Sequence, residues 1–178
     1  MKKTAAVLAC LLFTAPALAQ QSTAEKTGVN SVIGRSPTTQ DFVTEAAMSD
    51  LFEIQESQLA ANHGNAATKA FAAQMVTDHT KTTNELKGML PAGVTPPTAL
   101  DSSHQQKLDK LNGLQGAAFD KQYRSDQVSA HKTAVSLFRR YSKGGDNPQL
   151  KTWAGTTLPT LQNHLKMAQD LDKNKDLK

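Results

Sequence analysis

The sequence predicts an all-α protein: a four-helix bundle of two helical hairpins, with a short extra helix in the connection between the second and third main helices. Three observations carry that prediction. Apolar residues recur at three- and four-residue intervals over long stretches, the spacing that gathers them on one face of a helix. No stretch alternates apolar and polar residues as a half-buried strand does. The links between the long stretches are short, then long, then short, which pairs the first helix with the second and the third with the fourth.

The chain opens Met1-Lys2-Lys3, continues in the apolar run AAVLACLLFTAPALA and reaches Ala17-Leu18-Ala19. A basic start, a short apolar stretch and a small-x-small end make residues 1–19 a secretory signal peptide, with cleavage expected after Ala19. The run is shorter than the ~20 residues that a membrane-spanning helix needs. The mature chain is therefore expected in the periplasm or beyond, without a transmembrane segment. Cys10 lies inside this leader, too early for a lipoprotein cysteine, so the mature chain has no thiol for a disulfide, a nucleophile or a metal. The 20 Lys and Arg face 16 Asp and Glu, a net charge of +4; without Lys2 and Lys3 the balance is 18 against 16, or +2. No basic stripe of the kind nucleic-acid binding needs is present.

Residues 20–38 are polar and aperiodic and read as a flexible tether. The bundle domain is expected over residues 39–172, with a polar tail at 173–178. The first helix runs from about Thr39, after Pro37, to Asn62 before Gly64, with Phe42, Ala46, Phe52, Leu59 and Ala60 on its apolar side. The second starts at Asn65, a favoured N-cap, and is expected to reach Leu90. Pro91, Gly93, Pro96 and Pro97 then forbid helix. Asp101 caps a short helix carrying Leu108 and Leu111. The third main helix spans Ala117 to Lys143, with Phe119, Tyr123, Val128, Val135, Phe138 and Tyr141 on its buried side. Asn147-Pro148 is a cap-then-proline start for the last helix, which runs to about Leu171 on Leu150, Ala154, Leu158, Leu161, Leu165 and Ala168. Pro159 inside it removes one backbone hydrogen bond and should bend it.

Three of the five histidines fall on apolar stripes. His79 follows Met75 by four residues, His131 lies between Val128 and Val135, and His164 follows Leu161 by three. Helix one contributes Glu53, seven residues from both Ala46 and Ala60. Each main helix thus offers one inward residue able to ligate a metal. Burying an unpaired carboxylate is costly, so such groups are paired, hydrogen-bonded or bound to metal. Three imidazoles and one carboxylate suit iron, copper or zinc. Counted from the hairpin turns, Glu53 and His79 differ in depth by about four residues, as do His131 and His164. At ~1.5 Å per residue that is an offset of ~6 Å, at the limit of side-chain reach. His63 and His104 lie at helix ends and are expected to be solvated.

Other chemistries find no footing. A carboxylate-bridged di-iron centre requires Glu-x-x-His on two helices, and the sequence has none. A Gly-rich phosphate loop, a zincin motif and a nucleophile elbow are all missing. No catalytic constellation emerges, so enzymatic turnover is not expected. Asp120, near the start of helix three, reads as a structural cap at the positive end of that helix.

Four segments, DFVTEAAMSDLFEIQESQLA, FAAQMVTDHTKTTNEL, GAAFDKQYRSDQVSAHKTAVSLF and LPTLQNHLKMAQDL, resemble the bacterial domain-of-unknown-function family numbered 4142. The specific features are Asp78-His79, Phe119-Asp120 with Tyr123 and His131, and Leu158-Pro159 with His164. The resemblance implies a ferritin-like fold and an exported protein, often labelled an outer-membrane protein, and leaves the activity unassigned. Nothing in this chain has the strand pattern that an outer-membrane barrel requires.

Two readings stay open on the sequence. In one, Glu53, His79, His131 and His164 bind a transition-metal ion for metal handling or envelope stress protection. In the other, the same residues form a hydrogen-bonded core network in a non-catalytic envelope protein. An envelope-protein partner or a second copy on the outer faces is compatible with both.

Overall fold

The computed structural model describes Ser22 and residues 33–173. The predicted leader, most of the predicted tether and the predicted tail beyond Lys173, which α5 includes, lie outside the described residues. Five helices follow in order: α1 Thr39–His63, α2 Ala66–Lys87, α3 Ser102–Asn112, α4 Gly116–Gly144 and α5 Pro148–Lys173. Helices α1 and α2 form one hairpin and α4 and α5 the other; α1 against α4 and α2 against α5 close the bundle. Helix α3 lies across α1 and α4.

Asn65, Asp101 and Asn147 cap the helix starts that they predicted, and Thr38 caps α1. The side chains of Thr38, Asn65, Asp101 and Asn147 accept backbone N–H bonds from Asp41, Thr68, His104 and Leu150, at 3.2, 2.9, 2.8 and 3.0 Å. Each satisfies one of the donors that a helix start leaves without a partner. The hairpin turns depend on glycine for space. A Cβ on Gly64 would lie 2.5 Å from the Thr68 methyl, and one on Gly145 would lie 2.7 Å from both the Tyr141 ring and its carbonyl. Both glycines have ordinary negative φ, so crowding alone excludes a side chain there.

Two expectations need correction. Helix α2 ends at Lys87 and not at Leu90. Gly88 caps it, and Leu90, preceding Pro91, is pushed toward extended backbone. Asp120 does not cap its own helix. Its Oδ1 accepts the backbone N–H of Asn65 at 3.0 Å, tying α4 to the start of α2. The N-cap of α4 is Gln115, which makes no side-chain cap bond. As for Pro159, helix α5 continues through it.

The interior has three layers. At one end Phe42 stacks on Tyr141 with centroids 3.9 Å apart and meets Phe138 edge-on, with Leu86, Leu150, Trp153 and Leu161 around them. At the other end Phe71, Met75, Leu111, Phe119 and Tyr123 pack with Ala60 and Ala168. Between the two lies a buried polar band: Asp50, Glu53, Glu56 and Ser57 from α1, His79 from α2, Gln127 and His131 from α4, and His164 from α5. Among the described residues no helix is long and apolar enough to cross a membrane.

Candidate metal centre

The polar band brings together the four residues that the sequence placed on inward stripes. Glu53 and His131 are fully buried, and His79 and His164 each retain 2% exposure. The three imidazoles each have a ring nitrogen within 4.8 Å of the others'. Glu53 Oε2 lies 3.0 Å from His79 Nε2 and 3.3 Å from His131 Nε2. The anticipated offset in depth is closed by the direction of the side chains. In every α-helix Cβ leans toward the N-terminus. In an antiparallel hairpin that lean moves Glu53 away from the turn and His79 toward it. The same opposition brings His131 and His164 level.

Each histidine is held from behind. His79 Nδ1 bonds Asp50 Oδ1 at 2.8 Å, and Thr82 and Thr83 donate to the other Asp50 oxygen. His131 Nδ1 lies 2.9 Å from the carbonyl of Gln127, one turn earlier on the same helix. A carbonyl only accepts, so Nδ1 carries the proton and Nε2 of the neutral ring is a free lone pair. His164 Nε2 bonds Asp78 Oδ2 at 2.8 Å. Glu53 is steadied through Oε1, which accepts from Ser49 at 3.1 Å.

What remains is one atom per residue. Glu53 Oε2, His79 Nε2, His131 Nε2 and His164 Nδ1 are all buried, and none has a directed hydrogen bond. Glu53 Oε2 approaches His79 Nε2 as an ion pair, whereas at His131 it faces the bare Nε2 lone pair with no proton between them. Imidazoles fixed by an outer acceptor, with the other ring nitrogen turned to a shared centre, are the arrangement that metal-ligating histidines adopt. The donor set of three nitrogens and one carboxylate oxygen fits a four-coordinate transition metal.

The charges of the metal-free cluster follow from the same contacts. Burial opposes ionisation of Glu53, but His131 and His79 outweigh it and hold the carboxyl down at about 2. Burial likewise opposes protonation of His79, yet Glu53 and Asp50 push its ring up to about 10. His131 and His164 are lowered, first by burial, so their neutral forms are favoured. Burial raises Asp50 and raises Glu56 well above the carboxylate range. Without metal, the cluster is a Glu53–His79 ion pair flanked by two neutral rings.

Sequence reading missed the outer partners Asp50 and Ser49, and it noted Asp78 only as the neighbour of His79. Asp50 could have been found, since it stands three residues before Glu53 on the same stripe. Asp78 could not, because it serves a histidine on another helix. The short helix adds a smaller correction: His104 is only partly exposed and bonds Asp101 through Nδ1 at 2.9 Å. His63 is exposed, as expected.

The family model described as Domain of unknown function (DUF4142) matches residues 18–171. The chain belongs to this family. Among curated proteins none matches the chain. Among solved structures, "CopM in the Cu(II)-bound form" is similar to this DUF4142 chain with a TM-score of 0.64 and 16% identity, covering 78% of this chain and 98% of that one. At that identity the likeness concerns the fold, a helical bundle.

Proposed function

We propose that this DUF4142 protein binds one transition-metal ion in the middle of its bundle, through Glu53, His79, His131 and His164, and that it handles that metal in the cell envelope after export. The observation that carries the reading is the set of four buried donor atoms without a directed hydrogen bond, one from each main helix. Glu53 Oε2 and His79 Nε2 offset each other as an ion pair at 3.0 Å, but a purely structural network has no reason to leave the His131 Nε2 and His164 Nδ1 lone pairs buried and unsatisfied beside them, at roughly 1–3 kcal/mol each. Iron, copper and zinc all accept this donor set, and the fold neighbour solved with Cu(II) favours copper among them.

Four protein donors suit holding more than turnover. Structural metal sites are closed, whereas catalytic ones keep a position for water or substrate. A bound ion would supply Lewis acidity and, for iron or copper, one-electron exchange. The protein's own contribution is to fix the rings through Asp50, the Gln127 carbonyl and Asp78 and to exclude water with the aromatic layers above and below.

The test is metal content. The mature protein purified from its own host without chelator or affinity tag should carry close to one equivalent of iron, copper or zinc, which His79→Ala/His164→Ala loses. A metal-free wild type that also ignores added iron, copper and zinc would leave the cluster as a core network and send the search for function to the outer faces.

A further inference from the structure

The four inner ligands differ in what stands behind them. Asp50, behind His79, is 6% exposed, and the Gln127 residue whose carbonyl backs His131 is fully buried. Ser49, behind Glu53, lines a crevice of about 80 Å³ between α1, α3 and α4, but none of the four ligands reaches that crevice. His164 is different. It lines a crevice of about 450 Å³ between α2 and α5 itself, together with Asp78, Thr160, Asn163 and Met167. Its outer partner Asp78 has a side chain 25% exposed.

The lining of this crevice suits a cation on its way in. Asp78 Oδ2 takes both the bond from His164 and one from Gln74 at 2.7 Å, so among the described residues Oδ1 has no hydrogen bond. Met167, one turn beyond His164 and partly exposed, lines the crevice while packing on the Phe71–Phe119 layer, and Asn163 Nδ2 donates to its Sδ at 3.4 Å. A carboxylate attracts any cation, whereas a thioether is a soft donor that favours Cu(I) over Zn(II). Pro159 lacks a backbone N–H, and it forms part of the same wall.

Resting on the reading of the centre given above, we infer that metal reaches and leaves the buried site past His164, through this crevice. Asp78 Oδ1 and Met167 Sδ form a transient landing site at its mouth for a soft monovalent cation, and the His164 ring passes the ion inward. Met167 is not a ligand in the final site. Its contribution is to the rate of loading with Cu(I), not to how much is held.

The experiment follows uptake by the metal-free mature protein, by stopped flow, of Cu(I) from its bicinchoninate complex and of Zn(II) from a chromophoric chelator. Thr160→Trp, at an exposed position whose side chain makes no hydrogen bond among the described residues, would fill the crevice and should slow both ions several-fold. Met167→Leu should slow Cu(I) several-fold and leave Zn(II) unchanged. Met48→Leu, on the other crevice, should change neither rate, and all three variants should reach wild-type stoichiometry. Wild-type rates in Thr160→Trp, or slowing by Met48→Leu, would overturn the route. A wild-type Cu(I) rate in Met167→Leu, or a lost equivalent, would overturn the landing site. A wild type that takes up neither ion, nor added iron, would remove the metal centre itself, an outcome distinct from both.

Discussion

Asp78 is the sequence neighbour of His79, yet its Oδ2 lies 2.8 Å from Nε2 of His164, 86 residues further along the chain. Adjacent positions on a helix point about 100° apart, so His79 faces the interior while Asp78 reaches sideways to α5. One dipeptide thus provides a ligand and the outer support of a ligand on a different helix. Asp50 performs the second role for His79 from within α1.

Removing an outer support should weaken the site without erasing it. Asp50→Asn and Asp78→Asn should each lower metal affinity by roughly 10–100-fold while one equivalent still binds at saturation. Competition against a chelator of known affinity measures this. Unchanged affinity in both variants would mean that the carboxylates do not orient the rings.

Loading should stabilise the fold by mass action. Free metal at a hundred times its dissociation constant adds about 2.7 kcal/mol, which for a domain of this size raises Tm by roughly 5–10 °C. Thermal melts with the metal and with excess chelator read the shift, and His79→Ala/His164→Ala should show none.

The metal-free protein should show a pH signature of the Glu53–His79 pair. His79, raised from 6.5 to about 10, stabilises the fold fully below pH 6.5 and loses that contribution as pH rises toward 10. Glu53, lowered from 4.5 to about 2, stabilises fully above pH 4.5 and loses its contribution as pH falls toward 2. The stability gap between wild type and Glu53→Gln should therefore be widest between about pH 4.5 and 6.5 and narrow on both sides. Urea titrations across that range test it; a gap that widens above pH 8 would contradict the pairing.

The layer beside the centre should answer to a different readout. Tyr123 and Ser57 hydroxyls meet at 2.9 Å in a fully buried setting, and no inner ligand depends on either. Tyr123→Phe should cost roughly 1 kcal/mol of stability and leave metal stoichiometry unchanged.

Gly145 offers a test of the turn. Its replacement by Ala sets a Cβ 2.7 Å from the Tyr141 ring and carbonyl, an overpacking that should cost roughly 1–3 kcal/mol. Chemical denaturation measures it, and a neutral effect would show that the α4–α5 turn relaxes freely.

Local rules made much of this protein legible. Asn65, Asp101 and Asn147-Pro148 announced three helix starts, because a cap needs only its own turn. Glu53, His79, His131 and His164 announced themselves by standing where a hydrophobic residue was due. What stayed hidden depends on two helices at once. Asp78 looks like surface until α5 is set beside it, and Asp120 looks like a cap until the start of α2 arrives. The depth offset misled for a related reason: counting residues locates Cα atoms, whereas the lean of each Cβ decides whether the tips of the side chains meet.

The most direct measurement is X-ray absorption at the metal edge of the loaded mature protein. Three imidazole nitrogens and one carboxylate oxygen at about 2.0–2.2 Å, with one imidazole lost in His131→Ala, are the predicted first shell. A shell containing sulfur, or one whose imidazole count does not change in His131→Ala, would contradict a metal centre built by one residue from each main helix.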